Sequence, residues 1–254
     1  MTDLVLVDRR DAITVLTVNR PEVRNAIDLA TARAIEAAVD EFEADDAVRV
    51  VVLTGAGGTF SAGMDLVAAS RGEMPMTPRR GPLGIAAKPP VKPMISAVEG
   101  FALAGGFELA LSGDLIVAAR DAQFGIPEVK RGLVAAGGGV LRLSQRLPRN
   151  MAAELALTGG RVSAERLYQL GVVNRVSEPG AALAGALEMA AEIAAAAPLA
   201  VAASKQIIDQ SPDWAVEEGF AKQGEIALPA LFSKDAAEGA LAFAQKREPR
   251  WQGR

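Results

Sequence analysis

Apolar positions along this chain fall into two periodicities that divide it into strands and helices. Short continuous or alternating apolar runs predict strands at Leu4–Val7, Ile13–Val18, Val48–Leu53, Met94–Val98 and Leu115–Ala118. Between the second and third of these, Ile35, Val39 and Phe42 recur at spacings of four and three. Asp28 stands where it can cap that helix. Beyond about Asn150 strands nearly vanish and helical patterns take over, at 150–157, Ala164–Leu170, Ala181–Ala196, Leu199–Asp209, Trp214–Leu228 and Lys234–Gln245. Pro198 and Ser233 occupy positions favoured at helix starts. The pattern predicts an α/β core over residues 1–195 and a helical C-terminal region over 196–254, without internal repeats.

One segment breaks both periods. Between Ser70 and Pro93 lie Pro75, Pro78, Pro82, Pro89, Pro90 and Pro93, interspersed with Arg71, Arg79 and Arg80. No long regular helix survives such spacing, and the segment is expected to be a mobile surface loop, either a lid or a solvated insertion.

Composition narrows the chemistry. Of 254 residues half are apolar, and there is neither Cys nor His. Disulfides, thiolate metal sites, a Cys nucleophile and the Ser-His-Asp triad are thereby excluded, so acid–base work falls to Glu, Asp, Lys, Tyr or water. A net charge of −4 argues against nucleic acid as a partner. The N-terminus shows no signal-peptide pattern, and the Ala-rich run from Ala181 to Ala203 is interrupted by Glu188, Glu192 and Pro198, which argues against a membrane span. The expected location is the cytoplasm.

Three glycine-rich turns invite a ligand. Gly55-Ala56-Gly57-Gly58-Thr59-Phe60 follows a strand as a dinucleotide-binding loop would, but Phe60 stands where the third glycine is required. That weakens a redox reading. In Ser61-Ala62-Gly63-Met64-Asp65-Leu66, a tight turn before a helix start would leave N–H groups outward, with Met64 N–H one candidate donor; an ordinary strand-to-helix turn fits as well. In Ala104-Gly105-Gly106-Phe107-Glu108, a helix beginning near Gly105 would set its N–H and the Glu108 carboxylate on one face. The segment alone fits equally a Glu that complements the helix dipole. Glu128 follows Pro127 in another helical first turn, and Ala135-Ala136-Gly137-Gly138-Gly139 comes shortly after it. Two carboxylates beside free amides suit proton transfer next to a carbonyl.

Taken together, Gly63-Met64-Asp65, the Ala104–Glu108 turn and Phe124-Gly125-Ile126-Pro127-Glu128 resemble the crotonase (enoyl-CoA hydratase) superfamily. Asn19-Arg20-Pro21 with Asn25-Ala26, Leu157-Thr158-Gly159-Gly160 and Ala242–Arg247 agree, and the match runs in order along nearly the whole chain. The resemblance implies a crotonase-like spiral of ββα units with a helical C-terminal region, assembled as a homotrimer or a hexamer. It implies an acyl-CoA thioester as substrate and no further cofactor or metal. The amides of Met64 and Gly105 would form an oxyanion hole. Arg24, Ala26, Ala62, Met64, Asp65 and Leu66 would line the coenzyme A path, and Phe243 and Lys246 would reach it from the C-terminus, across a subunit boundary. Family members that hydrate enoyl thioesters with two glutamates have them where this chain has Glu108 and Glu128.

That favours hydration of a 2-enoyl-CoA, with Glu108 activating water and Glu128 delivering a proton to C2. The rivals are an isomerase, a dehydratase of a substituted acyl-CoA such as a carnitinyl-CoA-like substrate, and an acyl-CoA-binding protein without turnover. One departure stands out: Ala135-Ala136 replaces the Pro-Gly of many family hydratases, in which the glycine N–H helps position water. An Ala136 N–H is expected to keep that role if the backbone allows it.

Overall fold

The computed structural model describes residues 3–254. The chain opens with a hairpin, β1 (Val5–Arg10) against β2 (Ile13–Val18), then α1 (Leu29–Ala44) and β3 (Val50–Gly55). The Asp28 carboxylate caps α1 as expected, accepting from Thr31 N–H at 2.7 Å, and Ile35, Val39 and Phe42 form its buried face. A four-residue helix α2 (Leu66–Ala69) and the two-residue strands β4 (Met76–Thr77) and β5 (Gly81–Pro82) follow. The chain then winds as a spiral. Strand β6 (Met94–Val98) lies in the main sheet, β7 (Phe101–Leu103) in a smaller one, and α3 (Gly105–Leu111) leads back to β8 (Leu115–Ala119) in the main sheet and β9 (Gln123–Gly125) in the smaller. Then come α4 (Gly139–Arg146), α5 (Arg149–Thr158), β10 (Arg161–Ser163), α6 (Ala164–Gln169), β11 (Arg175–Ser177), α7 (Ala182–Ala194), α8 (Pro198–Gln210), α9 (Gly219–Leu231) and α10 (Lys234–Gln245). The main sheet runs β1-β2-β3-β6-β8-β11, parallel from β2 onward, and the smaller runs β10-β9-β7.

The central strands read as unbroken apolar runs because both faces of the sheet are covered. In β3, Val50 and Val52 face α7 with Val15, Ile95, Ala97 and Val117, packing on Ala186, Met189 and Ala190. Val51 and Leu53 face the other way, into the larger core with Ile35, Val39, Phe42, Phe107 and Phe124. Each fully buried Val or Leu contributes about 2 kcal/mol, so the sheet is a rigid base for the segments leaving its strands. The C-terminal helices behave differently: α8 and α9 bury no residue. The chain end is nonetheless tied back, with Trp251 donating to Ala195 O at 2.7 Å and the buried Asp235 accepting from Gln252 and Gly253 N–H.

Strand and helix bounds mostly fall within a few residues of the pattern-based expectation. The helix expected from Trp214 starts only at Gly219, because Pro212 nucleates a separate 3-10 turn over Ser211–Asp213 and Trp214 leaves it extended. The proline-rich stretch also departs from expectation. Thr77, Arg80, Leu83, Ile85 and Ala86 are buried, and Gly84 is pressed so close to α1 that a Cβ there would fall 2.0 Å from Ala32 O. The segment therefore does not lie wholly at the surface: part of it is packed on α1, while Ser70–Gly72, Met74, Met76, Pro78, Arg79, Ala87, Lys88 and Val91 are exposed.

Asn25 joins the hairpin to the glycine-rich turn after β3. It is fully buried at φ 54°, a left-handed backbone tolerated by Asn. Its side chain donates to Ala56 O at 2.9 Å and Thr59 O at 2.7 Å and accepts from Arg20 N–H at 2.9 Å. Asn25→Ala orphans all three buried groups and is expected to cost about 3 kcal/mol. Urea unfolding checks this; a loss below about 1 kcal/mol would contradict the assigned role.

Candidate active site

Two backbone segments meet without side chains between them. Gly63 has φ 92°, and a Cβ there would lie 2.6 Å from Gly105 N; a Cβ at Gly105 would lie 3.3 Å from Met64 N. Only glycines permit this approach. Met64 sits in a bridge to Ile27: Ile27 N–H donates to Gly63 O and Asp65 N–H to Ile27 O, both at 2.8–2.9 Å, while the Met64 N–H between them has no protein acceptor. The α2 amides that were expected to face outward are used locally, since Asp65 caps that helix through Val67 and Ala68 N–H and pairs with Arg20 at 3.1 Å. The free donor is therefore Met64, upstream of the helix.

Gly105 is the first residue of α3. Ala104 N–H donates to Gly125 O, and Phe107 and Glu108 N–H donate to Ala104 O, which leaves Gly105 N–H unpaired. The chain turns into α3 through Ala104 at φ 53°, ψ −129°, a conformation that costs a non-glycine residue on the order of 1–3 kcal/mol.

Both glutamates face the same space. Glu108, one turn into α3, is 5 % exposed and accepts from Gly139 N–H at 2.9 Å. Burial pushes its carboxyl above the ordinary range, opposed by the Gly139 and Gly137 amides and by the nearby Arg142 guanidinium. Glu128, in a short 3-10 helix begun by Pro127, has an Oε2 buried without any partner. Its carboxyl is pushed up to about 7, first by burial and further by the charge of Glu108. The two carboxyls thus lie in different environments.

These groups open on one cavity of about 570 Å³. Met64, Gly105, Glu108 and Glu128 line it, and so do Arg24, Ala26, Ala62, Asp65 and Leu66. Phe243 and Lys246 do not: both are exposed at the end of α10 and do not line this cavity. The expected role for the Ala136 N–H is not available either, because a tight turn makes it donate to Val134 O at 2.8 Å. What sequence inspection missed is the function of the following glycines. A Cβ at Gly137 would stand 2.7 Å from Glu108 Oε2 and one at Gly139 would stand 3.0 Å from Glu108 Cγ, so the pair forms a cradle for that side chain. Arg142 holds the cradle to the proline-rich segment by donating to Gly137 O and Ala86 O. The triple glycine near a carboxylate was the visible signal; which atom it served was not. The glycine turn after β3 folds onto itself, with Phe60 buried, and fronts no helix, so the dinucleotide reading fails.

The enoyl-CoA hydratase/isomerase family model matches residues 8–254. This chain belongs to that family. It is 44 % identical over 262 residues to the carnitinyl-CoA dehydratase of Salmonella arizonae, with both chains fully covered. It is 54 % identical to the enoyl-CoA hydratase of Mycobacterium tuberculosis H37Rv, at a TM-score of 0.97 over 99 % of each chain. A carnitinyl-CoA hydratase from Mycobacterium avium shows 41 % identity and a TM-score of 0.80, with both chains covered entirely. The enoyl-CoA hydratase/isomerase enzyme thus has the fold that the residue motifs implied.

The raised Glu128 carboxyl makes a stability prediction. Between its ordinary value of 4.5 and about 7 the folded chain holds a proton that the unfolded chain has lost, so stability falls as pH rises through that window. Glu128→Gln removes the penalty. At pH 8 the variant is expected to be more stable than wild type by about 2 kcal/mol, with the difference vanishing near pH 4.5. Urea titrations at several pH values measure it, and an equal pH dependence in both proteins would count against a buried Glu128.

Proposed function

We propose that this enzyme catalyses the reversible addition of water across the C2–C3 double bond of a 2-enoyl-CoA thioester. The observation that carries the reading is the convergence, in one apolar cavity, of two unpaired backbone N–H groups from opposing segments with two buried carboxyls, both pushed above the ordinary carboxylate range. The thioester oxygen sits between Met64 and Gly105 N–H. Charge developing there in the transition state is stabilised by on the order of 3 kcal/mol per preorganised donor. Glu108, ionised and steadied by Gly139 N–H, takes a proton from the water that bonds to C3. The C2–C3 π electrons move towards the carbonyl, and protonated Glu128 delivers its proton to C2. Exchange with solvent returns both carboxyls to their starting states.

A second reading, dehydration of a carnitinyl-CoA-like substrate, follows from the names of two relatives. A trimethylammonium group calls for an aromatic face or a free carboxylate. Among the described residues no aromatic side chain lines the cavity, and the only carboxylate lining it besides the pair, Asp65, is engaged by Arg20. An uncharged acyl chain fits the lining better.

The coenzyme A path follows Arg24, Ala26, Ala62 and Leu66. Phe243 and Lys246 act on a neighbouring subunit's ligand in a trimer or hexamer. Supporting this, Val216, Phe220, Phe232 and Phe243 each expose at least 85 % of their surface on the C-terminal helices and the turn before α9, an apolar patch of the kind that associates. Sedimentation equilibrium is expected to give a trimer or a multiple of it, and a monomer at micromolar concentration would overturn the assembly.

The reaction is tested by following loss of crotonyl-CoA absorbance beside carnitinyl-CoA. Wild type is expected to hydrate crotonyl-CoA, with a rate that declines above about pH 7 as Glu128 loses its proton. Glu108→Gln and Glu128→Gln should each lower turnover at least about a hundredfold with little change in affinity for a saturated acyl-CoA. Near-wild-type turnover in either variant would reject the two-carboxylate mechanism.

A further inference from the structure

The proline-rich segment, set apart in the sequence, turns out to build one wall of the cavity. Met74, Pro75, Met76, Pro82 and Leu83 all line it. Leu83 packs against the start of α3, its Cδ2 lying 3.3 Å from where a Cβ on Gly105 would be. The short β4–β5 pairing, Met76 with Pro82 and Thr77 with Gly81, leaves Arg79 and Arg80 at its turn.

Arg80 is buried, at 4 % exposure, and its backbone N–H and all three guanidinium nitrogens donate to α1 or to Lys88 O. Its backbone N–H donates to Glu36 at 2.9 Å, its Nε to Asp40 at 2.8 Å, one terminal nitrogen to Glu43 and the other to Lys88 O at 2.9 Å. Arg79 adds contacts to Glu36 and Asp40 from outside. The three carboxylates lie along α1 at positions three and four apart, a row that one planar guanidinium with its backbone amide can span. Behind the wall Gly84 meets Ala32 O with no space for a methyl group. While the clamp holds, Leu83 has nowhere to retreat.

We propose that Arg80 is a positioning residue that fixes the acyl-side wall and thereby restricts the enzyme to short acyl chains. It touches no substrate; it acts through Leu83. The proposal rests on the acyl-thioester reading of the cavity. Loosening the clamp frees Leu83 and the methionines beside it to move, and methionine repacks readily around added methylenes.

The test compares kcat/KM for crotonyl-CoA and 2-decenoyl-CoA in wild type, Arg80→Met, Arg80→Lys and Leu83→Ala. Wild type is expected to favour the C4 substrate. Arg80→Met and Leu83→Ala should each raise the C10-to-C4 ratio about tenfold, the worth of burying roughly two further methylenes. In Arg80→Met the change should fall mainly on KM for the long chain, with kcat for crotonyl-CoA kept within a few-fold. Arg80→Lys, which retains charge but not the fork, should lie between. An unchanged ratio in folded Arg80→Met and in Leu83→Ala would overturn the proposal. Should Arg80→Met not fold, Glu43→Gln removes one partner of the clamp and carries the same test, with the same two outcomes. Should wild type hydrate neither substrate, the hydratase reading fails separately. The wall is then read from calorimetric affinities for butyryl-CoA and decanoyl-CoA, where the same shift supports it and no shift overturns it.

Discussion

Everything chemical in this molecule depends on two backbones touching where no side chain intervenes. Gly63 and Gly105 come from segments separated by the whole of the proline-rich wall, and a methyl group on either would collide with or crowd the other's backbone. The contact puts the two unpaired amides of Met64 and Gly105 side by side. Its geometry is held from behind: Ser61 accepts from Gly63 N–H and donates to Asn25 O, and Gly106 lies so near Ser61 O that a Cβ would fall 2.1 Å from it. Moving any of these backbones by an ångström would uncouple the donors, which is why buried glycines and one buried serine surround the site.

The site runs against the stability of the fold. Ala104 carries a strained backbone, Glu128 has a buried oxygen with no partner, and both glutamates are harder to ionise than in water. Each feature costs on the order of 1–3 kcal/mol. They persist because the sheet beneath them is covered on both faces and its central strands β3, β6 and β8 are buried, so the local penalties are spread over a base that does not yield. The two carboxyls are also kept unlike. Glu108 rests in the Gly137–Gly139 cradle near Arg142, whereas Glu128 has one buried oxygen without a partner among the described residues and feels its neighbour's charge. Both carboxyls are thereby held above the ordinary carboxylate range, each by a different set of neighbours.

Much was legible in the residues before any coordinates. Helix α1 and its Asp28 cap, the central strands and the glycine-flanked pair Glu108 and Glu128 follow from local rules of periodicity, capping and turn chemistry, and so does the elimination of histidine and cysteine chemistry. So does the failure of the dinucleotide motif at Phe60. The short strands β7, β9, β10 and β11 were not legible, because three residues carry no period and their pairing is decided by partners distant in the chain.

The tertiary structure alone decided how those local pieces serve one another. Prolines between Ser70 and Pro93 predicted irregular backbone, and irregular it is, but only packing on α1 shows that Arg80 is buried and bonded to that helix. Likewise, Ala136 has an N–H in any sequence, yet the turn it sits in spends that N–H on Val134 O. Local composition determines which conformations a segment can adopt. Which hydrogen bonds remain free, and which carboxyl lies in the drier surroundings, depends on what long-range packing brings against the segment, and no window of the sequence contains that information.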